Sequence, residues 1–434
     1  MKILMISMFG DGADIGLRMA VESGNEVRLF IRDPKYRGNF EGVLDRVSEW
    51  EPSLKWCDLV VFDDTKCSDI WKKAVKSKPC FGGCEFAEKL ENDRKFTQDL
   101  CKRVGINVGA HKSFKTGVQV IAHLKENPGA WVVKPQGGKA DSWHLIVGSV
   151  GHDEETIQQV QRLVDSKLQV DSWEVEEKFE GIEVAVSRWC NGRDWIGPIN
   201  INFEHKHINE KETGALCGEA GTLMKYVEDP KLPLFEETLA KLLPALRAAD
   251  FRGQIDLNLI VDKYGVPHLI EATPRLGKPS VFIEHELHIT PWSELFYACA
   301  TGGDLNMQVR WDWAVGVVLF AFGFPHEKVA IEASQGLPVN GLPASLAHIH
   351  PMQLRREKSG AWKVGYGEGY LLVATGRGPE IYDAKRAAYD AMAPIRVPNA
   401  SHRFDITEKI NKYELQELGI LDESEEPACV AVSS

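Results

Sequence analysis

The chain has 434 residues, 44% hydrophobic and 26% charged, the composition of a globular protein long enough for about two to four domains. A net charge of -12 argues against a globally basic nucleic-acid binder, and no apolar run approaches the ~20 residues of a membrane span. The opening MKILMISMFG reads as a first strand and not as a leader, and nine scattered cysteines point to a reducing, cytoplasmic setting; Cys80 and Cys84 have no second pair at metal-ligand spacing and are read as plain thiols.

In chain order, KILMIS reads as a strand, GDGADIG as a glycine turn, LRMAVESG as a helix and EVRLFIRD as a strand, the opening of a doubly wound α/β unit. Gly10, Gly12 and Gly16 suit either a phosphate cradle at a helix start or a tight structural turn, and their spacing is not the strict dinucleotide fingerprint. DLVVFDD is a buried strand ending on Asp63 and Asp64, and CFGG closes this region. One helix is predicted from Glu85 to Val104. AWVVKP, QGGKADSW and HLIVGSV then read as strand, glycine loop and strand, a hairpin whose backbone N–H groups can face phosphate.

SWEVEEKFEGIEVAVSRW reads as two strands joined at Glu180–Gly181, and FEETLAKLLPALRAAD as one helix. GQIDLNLIVDKYGVPHLIEA is a hairpin turning at Lys263–Gly265. WAVGVVLFAFGFP opens a β-rich region that ends with the helix DAKRAAYDAM. After about Asn411 the tail is acidic, helix-like and then frayed.

Alternation places Asp256 and Asn258 on one face of the first strand of that hairpin, with Glu271 at the end of its partner and opposite Asn258. With Thr273 these oxygens suit Mg²⁺ (or Mn²⁺) held between protein and nucleotide phosphates; the plainer reading is a solvated strand end. Lys134, just before the glycine loop, is a natural phosphate partner or an edge-strand surface lysine. Glu176 and Glu183 flank the next turn and fit an adenine edge and ribose hydroxyls, or the polar faces of a two-sided strand.

The order of these signals resembles the ATP-grasp superfamily and, more narrowly, the phosphoribosylamine–glycine ligase family, from about Cys80 to Asp405. The resemblance implies an α/β fold, α+β in parts. Its expected divisions are a Rossmann-like domain over 1–105, an ATP-grasp domain of two subdomains over 106–310, a β-rich domain over 311–410 and an acidic tail over 411–434. ENDRKFTQDLCKRVGIN puts Arg94 where the family has a phosphate-contacting lysine. WVVKPQGGKADSWHLIV supplies Lys134 with Gly137, Gly138 and Lys139 of the phosphate loop, and VEEKFEGIE supplies Glu176, Glu177 and Phe179 at the adenine and Glu183 at the ribose. HKHINEKETGALCGEAG, which carries Lys206, matches the acceptor end, and LIEATPR matches the metal strand with Glu271 and Thr273, beside Asp256 and Asn258.

What the resemblance implies is ATP-dependent ligation through an acyl phosphate, with Mg²⁺, Arg275 on the carboxylate and Lys206 at the reacting end; Lys278, where the family has an acid, is expected either to face the substrate and select an anionic group or to point to solvent. Small-molecule carboxylate and amine partners and a monomer or homodimer are expected. Three departures separate the chain from the family pattern. GDGADIG carries acids where the family has arginine, glutamate and histidine, Thr273 replaces an asparagine, and Lys278 and Ser280 replace an acidic pair. The readings left open are glycine with phosphoribosylamine, another carboxylate–amine pair, or a non-catalytic ATP-binding regulator.

Overall fold

The computed structural model describes residues 1–139, 144–149 and 151–421. The first sheet is parallel, in the order β3-β2-β1-β4-β5, from β1 (Lys2–Ser7), β2 (Glu26–Ile31), β3 (Asp45–Arg46), β4 (Leu59–Phe62) and β5 (Cys80–Phe81). Its strands are near-continuous apolar runs because both faces are covered. The helix after β1 spans Ala13–Val21, so the glycine turn is shorter than predicted and Gly16 lies inside the helix. The turn ends at Gly12 because the Gly12 N–H is already satisfied by Asp63 Oδ2 at 2.9 Å.

Two other predicted helices are broken. Glu85–Asn92 and Arg94–Arg103 are separate, since Asp93 leaves helical geometry (φ -102, ψ 88) and its side chain accepts from Phe96 N, an N-cap that starts a new helix. The predicted helix over FEETLAKLLPALRAAD becomes Pro233–Glu237, a 3-10 turn Leu239–Leu242 and Leu243–Ala248. Thr238 breaks the run at φ -127, ψ -94, and Pro244 is accommodated only in a first helical turn.

A small antiparallel sheet, β6-β9-β7-β8, contains β6 (His111–Phe114), β7 (Trp131–Gln136), β8 (Ile146–Val147) and β9 (Ser172–Glu177). The strand predicted over HLIVGSV is confined to Ile146–Val147, and part of the glycine loop, 140–143, lies outside the described residues. The largest sheet is antiparallel, β14-β13-β10-β11-β12-β15-β20-β17. It comprises β10 (Ile182–Asn191), β11 (Trp195–Asn209), β12 (Thr213–Val227), β13 (Arg252–Val261), β14 (Pro267–Thr273), β15 (Trp313–Phe320), β17 (Ile349–Pro351) and β20 (Tyr370–Gly378). A three-stranded sheet, β16 (Pro338–Val339), β19 (Trp362–Val364) and β18 (Leu354–Arg356), sits nearby in sequence. The end of the tail, expected to fray, lies from 422 onward outside the described residues, while Lys412–Glu417 is helical.

Period-two alternation in the large sheet separates two environments. Val184 and Val186, Ile199, Ile201 and Phe203, and Ile255, Leu257 and Leu259 are fully or almost fully buried, and they pack with Leu234, Leu239, Leu242 and Leu246 of the broken helical segment. Each such side chain contributes about 1.5–3 kcal/mol. The intervening residues, Glu183, Ala185, Ser187, Asn200, Asn202, Glu204, Gln254, Asp256 and Asn258, form the opposite, polar face.

The first sheet is tied to the rest through ions. Arg18 holds Asp14 at 2.9 Å and donates to the carbonyl of Ile349 at 2.7 Å, and His350 Nδ1 lies 2.6 Å from Asp14; all three side chains are buried. Burial raises the pKa of Asp14, but Arg18 and His350 outweigh it and hold the carboxyl below its ordinary value. Asp14→Ala would leave a buried guanidinium without its counter-charge, and a loss of about 3–5 kcal/mol is expected, read as a lower urea midpoint. Burial, then Arg18, keep His350 neutral below the ordinary imidazole pKa. In acid the unfolded chain therefore takes up a proton that native His350 refuses, and stability falls below pH ~6.5 at up to ~1.4 kcal/mol per unit. His350→Gln is expected to lose that component of the acid sensitivity in urea titrations between about pH 5 and 7.

Candidate active site

The small sheet brings two of the predicted cations onto one carboxylate. Lys134 Nζ on β7 lies 2.9 Å from Glu176 Oε2 on β9, and Arg94 Nη2, from the start of its helix, lies 2.8 Å from the same oxygen. Arg94 also donates to the carbonyl of Ile270 on β14, so it fastens the small sheet to the large one. The Glu176 carboxylate, expected at the adenine, is paired in the structure with these two cations. Glu177 accepts from Ala110 N at 3.1 Å. Phe179 stacks on His268 with ring centroids 4.0 Å apart, which places the 178–181 connection against β14. Gly137 and Gly138 have φ +70° and +59°, and a Cβ would meet Asp171 Oδ2 at 1.9 Å and Gln169 O at 2.3 Å; only glycine fits this turn. Lys139 N donates to Gln169 O at 2.7 Å, which pins the base of the phosphate loop.

Lys206 stands at the centre of the polar face. Its Nζ lies 2.6 Å from Glu183, 3.2 Å from Glu204 and 3.6 Å from Glu271. Burial opposes its charge, but Glu204, Glu183 and Glu271 raise its pKa well above the ordinary lysine value. The predicted register holds: Asn258 is opposite Glu271 and Asp256 opposite Thr273, and Asn258 Nδ2 donates to Glu271 Oε1 at 3.2 Å. Burial raises the pKa of Glu271, but Lys206, Lys134, the Asn258 hydrogen bond and Arg94 together hold it below its ordinary range; its side chain is 53% exposed to the cleft. Asp256 is pushed up to about 7 by burial and then by Glu204, and accepts from Asn202 Nδ2 at 3.0 Å.

The sequence reading missed Glu204, Glu219 and Asn202. Burial and then the Glu204 charge raise the Glu219 pKa well above the ordinary value. The signal for Asn202 and Glu204 was the alternation NINFEHK on β11, in which Asn200, Asn202, Glu204 and Lys206 share a face; Glu219 lies on β12.

At the other end, Arg275 Nε lies 3.0 Å from Glu91, and Nη1 donates to Leu276 O at 3.0 Å, which fixes the guanidinium plane. Lys278 Nζ lies 3.4 Å from Asp63 Oδ2 and its side chain is 12% exposed. Asp63 Oδ2 also accepts from Ser7 Oγ at 2.8 Å and from Gly12 N. Burial pushes Asp63 up to about 6, with Lys278 opposing. The lysine that departs from the family pattern therefore has an internal counter-charge. Among the described residues no group of three or more His, Cys, Asp or Glu side chains is arranged to hold a metal ion alone. No described helix is long and apolar enough to cross a membrane.

Residues 92–281 match the model of the phosphoribosylglycinamide synthetase ATP-grasp (A) domain. A phosphoribosylamine–glycine ligase of Rhizobium meliloti is 28% identical over 345 residues, covering 76% of this chain and 77% of its own length. The crystal structure of the phosphoribosylamine–glycine ligase of Thermotoga maritima superposes with a TM-score of 0.70 at 21% identity, over 94% of this chain and 100% of its own. An N5-carboxyaminoimidazole synthetase of Staphylococcus aureus, solved with ADP, superposes with a TM-score of 0.59 at 15% identity, over 90% of this chain and 97% of its own. Residues 92–281 are an ATP-grasp domain of the phosphoribosylglycinamide synthetase type, and the chain resembles phosphoribosylamine–glycine ligases over most of its length.

Proposed function

We propose that this chain is an ATP-dependent, ADP-forming carboxylate–amine ligase. The observation that carries the reading is the convergence of Lys134 and Arg94 on Glu176 beside the strand that ends on Glu271: both cations share one oxygen of the small sheet, and Arg94 also donates to the carbonyl of Ile270, the residue before Glu271 on the large sheet. A triphosphate laid between them has positive charge on one side and oxygen ligands on the other. Arg94, Lys134 and the backbone of Gly137 and Gly138 bind the phosphates. The segment Glu177–Phe179, with Glu183, frames the nucleoside.

The donor set also fits Mg²⁺. Glu271 faces the cleft, and Asn258 Oδ1 and Asp256 Oδ1 are buried oxygens without a partner, so the groups offered are all hard oxygens. Bound there with Thr273 nearby, the ion would neutralise phosphate charge. Glu271, Asn258, Asp256 and Thr273 would be the residues that hold it, and the charge it supplies would favour transfer of the γ-phosphate.

The reaction then has two steps. A substrate carboxylate oxygen attacks the γ-phosphorus of ATP, the bond to the β-phosphate oxygen breaks, and ADP leaves. The amine nitrogen attacks the acyl carbon, the bond to the phosphate oxygen breaks, and the amide forms with release of phosphate and a proton. Alignment and charge neutralisation are the main requirements of such transfers, and no serine or cysteine nucleophile is needed. Arg275, with its plane fixed by Glu91, orients the carboxylate. Lys206 steadies charge at the acyl end.

The test is an ADP-release assay over carboxylates and amines, with glycine and phosphoribosylamine, the substrates in the relatives' names, as the first pair. ADP formation dependent on both a carboxylate and an amine is expected, and none with any pair would sink the reading. Lys134→Ala is expected to weaken ATP binding about tenfold or more, roughly 1.4 kcal/mol, by calorimetry. Glu271→Gln is expected to lower kcat about a hundredfold, roughly 2.7 kcal/mol, with a smaller change in nucleotide affinity.

A further inference from the structure

Resting on the ligase reading, the identity of the amine can be narrowed from two features at the acceptor end. The first is a cavity of about 650 Å³ bounded on one side by Lys206 and elsewhere by Tyr36, Phe324, Tyr366 and Tyr370. Lys206 is the ammonium that bridges Glu183, Glu204 and Glu271, so this cavity opens on the reacting centre.

Its aromatic walls are held in place. Tyr366 stands edge-on to Tyr36 at 5.2 Å and 88°, and its hydroxyl donates to Glu332 Oε1 at 3.1 Å. Tyr370 stands edge-on to Phe324 at 4.7 Å, and its hydroxyl accepts from Glu219 N at 3.0 Å. Phe324 in turn stacks on Phe320 at 4.5 Å. Position 218 is glycine because a Cβ there would stand 2.7 Å from the Tyr370 hydroxyl. Rigid ring faces and edges around a gap select a flat ring, which gains offset-stacked and edge contacts without reordering the walls. Lys35 at the rim is already engaged, 4.3 Å from the Tyr366 ring centroid and 3.5 Å from Glu332.

The second feature is the start of the helix Ala13–Val21. Backbone N–H groups at such a start can hold a phosphate, but here the anion is the protein's own. The fully buried Asp63 takes Gly12 N, Ser7 Oγ and Lys278 Nζ on a single oxygen, and Gly10 N donates to Ser7 Oγ at 2.7 Å. A Cβ at Gly12 would meet Asp63 Oδ2 at 2.5 Å, so the two are packed without a gap. Glu332 and Glu368 line the cavity beside Lys35, Lys206 and Lys328, so its charges of both signs are balanced within the wall. A phosphate dianion meets an occupied cradle at the helix start.

We infer that the amine accepted by this chain carries a planar ring and no phosphate: the ring lies between Tyr36, Tyr366, Phe324 and Tyr370, and the amine nitrogen points toward the carboxylates grouped around Lys206. Phosphoribosylamine, which has a phosphate and no aromatic ring, is then a poor acceptor. The experiment is a calorimetric titration of the whole chain with Mg²⁺ and the non-hydrolysable ATP analogue AMP-PNP present. Tryptamine serves as the ring-bearing amine and ribose 5-phosphate as the phosphorylated sugar.

Tryptamine is expected to bind at least tenfold tighter than ribose 5-phosphate. Tyr366→Ala is expected to lose tenfold or more of that binding and Tyr366→Phe to keep it, with AMP-PNP affinity unchanged in both. Equal or tighter binding of ribose 5-phosphate, or wild-type tryptamine binding by Tyr366→Ala, overturns the inference. The two-probe comparison needs only the wild-type chain, so it stands even if a variant fails to fold. AMP-PNP titrated alone tests the ligase reading separately. If it binds and tryptamine does not, the ring proposal falls and the ligase reading stands; if it does not bind, the ligase reading falls and takes the ring proposal with it.

Discussion

Three carboxylates on three different strands share one ammonium. Glu183 on β10, Glu204 on β11 and Glu271 on β14 would repel one another if packed this closely alone, and Lys206 lies within 3.6 Å of each. A buried cation surrounded by acids is stable only because every charge has its opposite nearby. The polar face of the large sheet depends on this arrangement: it lets strands whose other face is Ile, Leu, Val and Phe present oxygen ligands toward a cleft. The acids that receive less of the lysine, Glu219 and Asp256, have their pKa values raised by burial and by the neighbouring Glu204 charge.

A similar economy operates across the cleft, where Glu176 satisfies Lys134 and Arg94 with a single oxygen. Both cations are thereby held extended toward the same point, at the cost of one shared acceptor. A polyphosphate offers more charge than one carboxylate and can displace it without moving either side chain far. Asp63 shows the opposite outcome. Its oxygen is bound by two hydrogen bonds and an ammonium inside a packed turn, and nothing from solvent can compete on those terms. One internal carboxylate is therefore shared between two half-buried cations, and another is enclosed with its ammonium.

How much of this was legible in the sequence depended on how local the signal was. The hairpin β13–β14 and its Asn258–Glu271 register followed from alternation and the Lys263–Gly265 turn, because both strands and the turn lie within a few dozen residues. Lys134 and the glycines behind it were readable for the same reason. The bulge at Ile270, between the pairs Asn258–Glu271 and Leu259–Leu269, left no mark in composition. The break at Asp93 was visible in principle, since an aspartate three residues before Phe96 can cap a helix, but the charged pattern on either side looked continuous. Lys206 was placed at the acceptor end by resemblance, whereas its three acids come together only through the pairing of β10 with both β11 and β13. The aromatic cavity was not legible at all, because Tyr36 and Tyr366 meet across more than three hundred residues of chain and neither position has a sequence pattern of its own.

The order of the large sheet has a geometric consequence. β12, which carries Glu219, is bonded along its length to β11 on one side and to β15 on the other, and β15 continues into β20. The eight strands form one continuous hydrogen-bonded plate from β14 to β17. The small sheet meets that plate through the chain at 178–181, the isolated Val108–Leu269 bridge, the bonds of Asn107 to Leu269 and His268, and the grip of Arg94 on Ile270. The contacts between the two sheets are thus gathered along β14 and the residues before it, beside the stacked rings of Phe179 and His268. Tyr370, on β20, belongs to the far side of the plate from that seam, so the aromatic wall and the small sheet are borne by opposite ends of one continuous hydrogen-bonded surface.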